Sequence, residues 1–435
     1  MHAVTTVTSS LISQGSAWLN HDDDDNDPEG IRALLCISPT LDKNVKENTL
    51  PFVLHCYSQW AIASIFEPRK IVHALRDQVI AQISSESSRV RTILIANVMN
   101  MCTTTFATGG ATKSILNHLT LDVRNSASTF INTPPAFAPA LDRQNAVRTL
   151  DSMLEILGLQ THTQPTIDGI QSLEYAAPIF RRACIEPQGQ PINLPNILLD
   201  PSLNLRYFAT MDIILSITNG RSTRFQYEVP FSLELCEQVY RWQLLGNYGS
   251  QWLYGLPDQF IMLLAWINTL SETPGAGDNS ELIAWIEEQL PQIRIAIDEA
   301  GEPLLRIGRM VVQECWRFAV FIYLYMALCN ANAHDPRVTR AQKGYMRLVR
   351  GVKPGRNPDL FLIASMSMAG VATTQTQDRD TLRQRILNIR ECAKRGTCGN
   401  DVLLKLEDIW ERTANEGRPA VWSDLRVADL RIRGK

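Results

Sequence analysis

The sequence predicts an all-α protein, a large multi-helix array preceded by a disordered N-terminal segment. Apolar residues recur every three to four positions over most of the chain, which is the spacing of one helix face. Strand signals are limited to a weak alternation at 224–229, and the sequence lacks the strand–helix alternation of an α/β enzyme. Hydrophobic residues make up 45% of the 435 residues and charged residues 20%, so the chain can bury a sizeable core.

The N-terminal segment, residues 1–48, is predicted to be disordered, and residues 49–435 are predicted to form the helical domain. The first segment is rich in Ser, Thr, Asp and Asn and contains an acidic run at 22–25. It holds too little apolar surface to offset the conformational entropy that ordering would remove.

The helical domain opens with three predicted helices. Pro51 suits the first turn of the first helix, whose apolar positions continue to Phe66. Pro68 breaks the helical pattern, because proline lacks an N–H group and clashes with the preceding turn. A second helix is predicted at 69–83 and a third at 89–102.

The rest of the chain alternates between helical periodicity and clusters of Pro, Gly, Ser and Asn, which predict loops. The predicted loops are 125–139 and 271–279. The predicted helices are 142–157, 168–184, 203–218, 231–245, 256–270, 280–300, 303–330, 338–350, 358–372, 378–394, 400–413 and 420–430.

Charge and cysteine content exclude several classes of protein. The net charge is −3, from 42 basic and 45 acidic residues, which argues against DNA binding through a basic surface. The nine cysteines are odd in number and mostly lie in apolar runs, so we expect reduced thiols in an intracellular protein. The longest apolar run, 318–329, is shorter than the roughly 20 residues that span a bilayer. We expect a buried core helix there and no membrane partner.

Two candidate motifs, one for binding phosphate and one for binding calcium, lack residues that the motif requires. The stretch A-T-G-G-A-T-K-S approaches a P-loop, but Ala107 and Thr112 stand where that loop needs glycine. A loop followed by a helix is the expected structure. A calcium loop counted from Asp23 would place Pro28 and Leu34 where glycine and glutamate are required.

Metal and catalytic motifs are also missing from the sequence. His55 and His73 fall on neighbouring predicted helices, where packed or surface imidazoles are expected in preference to a metal site. No C-x-x-C pair, G-x-S-x-G elbow or G-x-G-x-x-G loop occurs. We therefore expect no catalytic residue, no cofactor-binding residue and no metal ligand in this chain, and we expect that it is not an enzyme.

An aromatic segment supports two interpretations. Trp316, Phe318 and Tyr323 lie in one apolar run, with Glu314 and Arg317 beside them. Core packing is the preferred interpretation, and a ligand cavity in a helical enzyme is the alternative. The same two interpretations apply to Trp242, Trp252, Trp266 and Trp285.

The most basic local patch of the sequence also has two interpretations. A solvated helix face is the default, and contact with an anion or a partner is the alternative. The patch consists of Lys343, Arg347, Arg350, Lys353 and Arg356.

Several segments, in their order along the chain, resemble one family. They are F-E-P at 66–68, L-P-D-Q-F-I-M-L-L-A-W-I at 256–267, C-W-R to I-Y-L-Y at 315–325, H-D-P-R at 334–337, G-V-K-P-G-R-N-P-D at 351–359, M-A-G-V-A at 368–372, L-E-D-I-W at 406–410 and W-S-D-L at 422–425. Together they resemble the fungal-specific transcription factor domain, the large helical regulatory domain of fungal zinc binuclear cluster transcription factors. The resemblance covers about residues 50–430.

The resemblance implies a transcription regulator in the nucleus, whose partners are other transcription regulators, the transcription machinery or a second copy of the chain. Such proteins usually carry six cysteines in two C-x-x-C groups, which hold two zinc ions and read DNA in the major groove. Only Cys36 and Cys56 precede residue 100 here. Zinc is therefore implied only through a cluster that this chain lacks, and DNA contact is expected only where that cluster is supplied upstream or by a partner. The alternative function is a stand-alone helical interaction protein that binds or sequesters related regulators.

Overall fold

The computed structural model describes residues 27, 29–36, 49–84, 86–104, 109–245, 249–296 and 303–433. Over these residues the chain forms twenty α-helices and one pair of two-residue strands, which confirms the all-α prediction. Contacts between residues divide the chain into two compact units, one ending at Ile115 and the other beginning at Leu116. The division predicted from the sequence, into 1–48 and 49–435, has no boundary at this position and stays a prediction.

The first unit contains four short to medium helices that pack on one another. The three helices predicted in this part of the chain are confirmed, with ends that differ by a few residues. Pro68 is the first residue of its helix, where its missing N–H group has no intrahelical partner to lose. The helices are α1 Ile31–Cys36, α2 Thr49–Ser64, α3 Pro68–Ser84 and α4 Glu86–Thr104.

Helix α1 lies inside the segment that the sequence predicts to be disordered. The Asp27 carboxylate accepts hydrogen bonds from the Ile31 N–H at 2.9 Å and the Arg32 N–H at 2.8 Å, which satisfies donors of the first turn. Ile31 and Leu35 are both buried. The segment predicted to be disordered therefore includes one short helix, and its acidic run 22–25 lies outside the described residues.

The second unit holds most of the helices and both strands. Strand β1 (Ile192–Asn193) pairs in parallel with β2 (Tyr227–Glu228), so the weak alternation at 224–229 does form a local pair. Helix α5 (Gly110–Asn132) begins before the unit boundary. The other helices are α6 Pro139–Thr163, α7 Thr166–Ala183, α8 Leu194–Leu199, α9 Leu203–Thr218, α10 Leu233–Leu244, α11 Gln251–Tyr254, α12 Asp258–Ser271, α13 Ser280–Gln289, α14 Pro303–Tyr323, α15 Pro336–Gly351, α16 Arg356–Val371, α17 Thr376–Leu387, α18 Arg390–Ala393, α19 Cys398–Asn415 and α20 Asp424–Arg433.

The predicted loop 125–139 is wrong over its first half, because α5 continues to Asn132. Two hydroxyl-bearing residues in this stretch bond to the carbonyl one turn earlier, and so they do not compete with the helix. Ser126 donates to the Asp122 carbonyl at 3.0 Å, and Thr129 donates to the Asn125 carbonyl at 2.9 Å. The helix ends only before the prolines that follow.

Two predicted helices are shorter than the periodicity indicates. The helix predicted at 280–300 corresponds to α13, which ends at Gln289. It begins after Asn279, whose side chain caps the helix by accepting a hydrogen bond from the Leu282 N–H at 3.0 Å. A 3₁₀ turn, Leu290–Gln292, contains Pro291 and leads into extended chain. The helix predicted at 378–394 is interrupted between α17 and α18.

The core of the second unit is built around α12 and α14. Helix α12 is buried on nearly all sides from Asp258 to Asn268, as expected for a helix without a polar face. Helix α14 continues as a π-helical segment, Leu324–Leu328. The continuous helix Pro303–Leu328 is long and apolar enough to cross a membrane, but 67% of its most apolar window is buried inside the protein. The core-helix prediction for the apolar run at 318–329 is consistent with this burial.

Helices α19 and α20 are joined by a buried carboxylate at Asp424. Its oxygens accept hydrogen bonds from Arg412 at 2.6 Å, Arg418 at 2.7 Å and the Val421 N–H at 2.9 Å. Burial raises the pKa of Asp424, but these donors outweigh burial and hold the pKa well below its usual range. The carboxylate therefore stabilises the C-terminal corner in its charged form.

Candidate functional site

The residues that approach a P-loop lie at the start of α5. Gly110 begins the helix, and Lys113 and Ser114 are exposed on its first turn. The helix of that prediction therefore begins inside the stretch, at Gly110, and Ala107 lies outside the described residues. His55 is half-buried on α2 and His73 is exposed on α3, and the described part of the chain contains no cluster of three metal-ligating side chains.

The aromatic segment of α14 takes part in packing between helices. Trp316 is buried, and Tyr323 donates a hydrogen bond to the Asn268 amide oxygen at 2.8 Å. The ring of Phe318 lies so close to Gly344 that a Cβ atom at that glycine would overlap it. Arg317 bonds Glu314 on the same helix at 2.9 Å. These contacts favour the core-packing interpretation of the segment.

The basic patch lies on α15, on the turn that follows it and at the first residue of α16. The helix begins after the Asp335 cap, whose carboxylate accepts the Arg337 N–H at 2.8 Å. One face of α15 is buried against the rest of the unit, and the opposite face carries positive charge. The buried residues are Val338, Ala341, Gln342, Tyr345, Met346 and Val349.

The structure separates the predicted patch into two groups. Arg350 forms an ion pair with Asp378 and Arg356 forms one with Glu391, so these two arginines hold helices together. The second group is exposed and has no acidic partner among the residues that the structure describes. They are Lys343, Arg347 and Lys353, and Arg340 joins them on the same helix.

We define the basic stripe as Arg340, Lys343 and Arg347. These residues are three and seven positions apart, which places them along one side of a helix over a rise of about 10 Å. The segment Pro336–Gly351 contains no Asp or Glu. That absence, together with the helical spacing, is the signal by which Arg340 could have been included from the sequence.

A buried ion pair fixes the C-terminal end of α15, two residues before Lys353. Arg385 contacts Asp359 at 2.6 Å, and the two side chains are 5% and 0% exposed. Arg385 also donates to the carbonyls of Val349 and Val352, which are acceptors that the helix end leaves without intrahelical partners. Burial raises the pKa of Asp359, and the Arg385 guanidinium opposes that rise.

Two further carboxylates anchor the same region. Asp378 accepts from Gln342 at 3.0 Å and pairs with Arg350, which ties α15 to α17. Glu391 accepts from Arg356 at 2.9 Å and lies 3.2 Å from His162 Nδ1. Burial raises the pKa of Glu391, but its bonds to His162 and Arg356 outweigh burial and hold the pKa well below its usual range.

The arrangement presents three cations on a helix that is fixed at its cap, its buried face and its C-terminal end. Such an array attracts carboxylates or phosphates through charge.

Comparison with protein-family models gives a match. A family model described as the fungal specific transcription factor domain matches residues 177–430, a range that includes the whole basic stripe and its anchoring carboxylates. No curated protein and no solved structure matches the chain.

Proposed function

The chain belongs to the fungal specific transcription factor domain family, and on that premise we propose that it is a helical regulatory domain that controls transcription in the nucleus. The observation that carries the proposal is the family match, which covers more than half of the chain. The proposal assigns the chain no catalytic role.

The all-helical fold supports this proposal. The segments by which the sequence resembles the family include buried elements of the second unit, among them α12, α14 and the turn before α16. A helix with an exposed charged face suits a protein that acts through partners. We infer that base reading is done by a module outside this chain, because the sequence contains no C-x-x-C pair to hold a zinc cluster.

The test is to recruit the chain to a promoter. The full chain is fused to an unrelated DNA-binding domain, and transcription from a reporter that carries the matching site is measured under varied nutrient conditions. The DNA-binding domain alone is the control. We expect reporter output to rise or fall relative to the control. Output that equals the control under all conditions, with the fusion present at equal abundance, would contradict the proposal.

A further inference from the structure

We propose that the basic stripe is a docking site for an acidic segment of a partner protein in the transcription apparatus. This inference rests on the proposed function, because it names the kind of partner that the regulatory domain would contact. The partner segment carries Asp or Glu at intervals that match the spacing of the three cations.

The first argument is charge imbalance. Helix α15 carries five basic residues and no acidic one, in a chain whose net charge is −3. Neighbouring arginines show the opposite behaviour, since Arg350, Arg356 and Arg385 each pair with a carboxylate. Within the described ranges the stripe residues have no such partner, so their charges remain available to a second molecule.

The second argument is preorganisation. A side chain on a fixed backbone loses less freedom on binding than one on a mobile loop. Helix α15 is fixed on its inner face by Tyr345, whose hydroxyl lies 2.9 Å from the Ser365 hydroxyl, and at its end by Arg385. The stripe therefore meets a partner as a row of charges whose spacing is already set.

The third argument concerns the class of partner. The stripe is a single narrow row of about 10 Å, whereas DNA-binding domains usually have an extended basic surface and a pI above about 9. The pI of this chain is near 6.2, so the protein as a whole repels a polyanion as densely charged as duplex DNA. A short acidic protein segment needs only the local row of cations.

The experiment measures binding of two fluorescein-labelled probes to the purified full chain by fluorescence polarisation. One probe is a short peptide in which aspartate alternates with leucine, and the other is a short duplex DNA of arbitrary sequence. A peptide with asparagine in place of aspartate is the uncharged control. The stripe variant combines Arg340→Gln, Lys343→Gln and Arg347→Gln.

A matched control variant removes the same amount of charge elsewhere. Arg69→Gln, Lys113→Gln and Arg148→Gln change exposed cations on α3, α5 and α6. Circular dichroism checks that both variants keep the helical fold, which is expected because all six side chains are exposed.

We expect the acidic peptide to bind the natural chain, to bind the stripe variant about tenfold more weakly, and to bind the control variant almost unchanged. Affinity should fall as salt is raised, since exposed charges are screened. Equal losses in the two variants, or equal binding of the asparagine peptide, would overturn the inference. The inference would also be overturned if the DNA probe bound more tightly than the acidic peptide and if only the stripe variant lost that DNA binding.

The promoter-recruitment assay separates this inference from the proposed function. A stripe variant that no longer binds the peptide but leaves reporter output unchanged would overturn the docking role and leave the regulatory role intact. Stripe-dependent peptide binding by a chain that has no effect on the reporter would support docking and contradict the proposed function.

Discussion

Removal of the Asp359 carboxylate should destabilise the protein strongly. The Asp359→Leu substitution leaves the Arg385 guanidinium in a site where it is only 5% exposed. Loss of one partner from a buried ion pair costs about 3–5 kcal/mol, because the remaining charge is not compensated. Arg385 keeps two carbonyl acceptors, at Val349 and Val352. We therefore expect a cost near the lower limit, about 3 kcal/mol.

Urea unfolding followed by circular dichroism measures this cost, and a double-mutant cycle assigns its cause. The cycle compares Asp359→Leu, Arg385→Met and the double variant. We expect the sum of the two single-variant costs to exceed the cost of the double variant by about 2 kcal/mol, because the two residues contact each other. Additive costs, or a cost below about 1 kcal/mol for Asp359→Leu, would refute the argument that the pair holds this region together.

Three further substitutions, one of them with a matched control substitution, test other parts of the structure. Gly344→Ala places a Cβ atom against the Phe318 ring and should destabilise the protein by about 1–3 kcal/mol in thermal unfolding. The control Gly351→Ala lies in a helix with open space around it, so it should leave stability unchanged or raise it by up to about 1 kcal/mol. Asn279→Ala removes the cap of α13 and should cost about 1 kcal/mol in urea unfolding, and no change would argue against the cap. Asp424→Asn should destabilise the protein at pH 7 by about 1–3 kcal/mol. The folded-state pKa of Asp424 is lowered, so its contribution is complete above about pH 4 and is lost as pH falls. The difference between Asp424→Asn and the natural chain should shrink at pH 3, and a constant difference would contradict this assignment.

The errors of sequence-based prediction occur where local composition opposes packing. The polar residues in 125–132 indicate a loop, yet the hydroxyls of Ser126 and Thr129 bond within α5 and its apolar face is buried at Ala127. In the opposite direction, the periodicity after Ser280 continues past Pro291, and that proline ends the helix. Helix α1 is too short for its apolar periodicity to be recognised in the sequence. Its helical structure is explained by the burial of Leu35.

The candidate site shows the same division. Its position on a helix, and the presence of a basic patch there, follow from the sequence. The role of each cation cannot be deduced from the sequence, because the carboxylates that pair with Arg350 and Arg356 lie 28 and 35 positions away along the chain. Nothing in the local spacing distinguishes an arginine that joins helices from one that remains exposed.

The sequence by itself determined the all-α class, most helix positions and the charge of α15, because helical periodicity and charge spacing depend on residues three to four positions apart. Only the tertiary structure decided which of these charges are neutralised inside the protein. Ion pairs such as Asp359–Arg385 form between residues 26 positions apart, and only the packing of α15, α16 and α17 brings them together. The exposed stripe is what remains after that pairing, so it could be recognised only once the helices were placed.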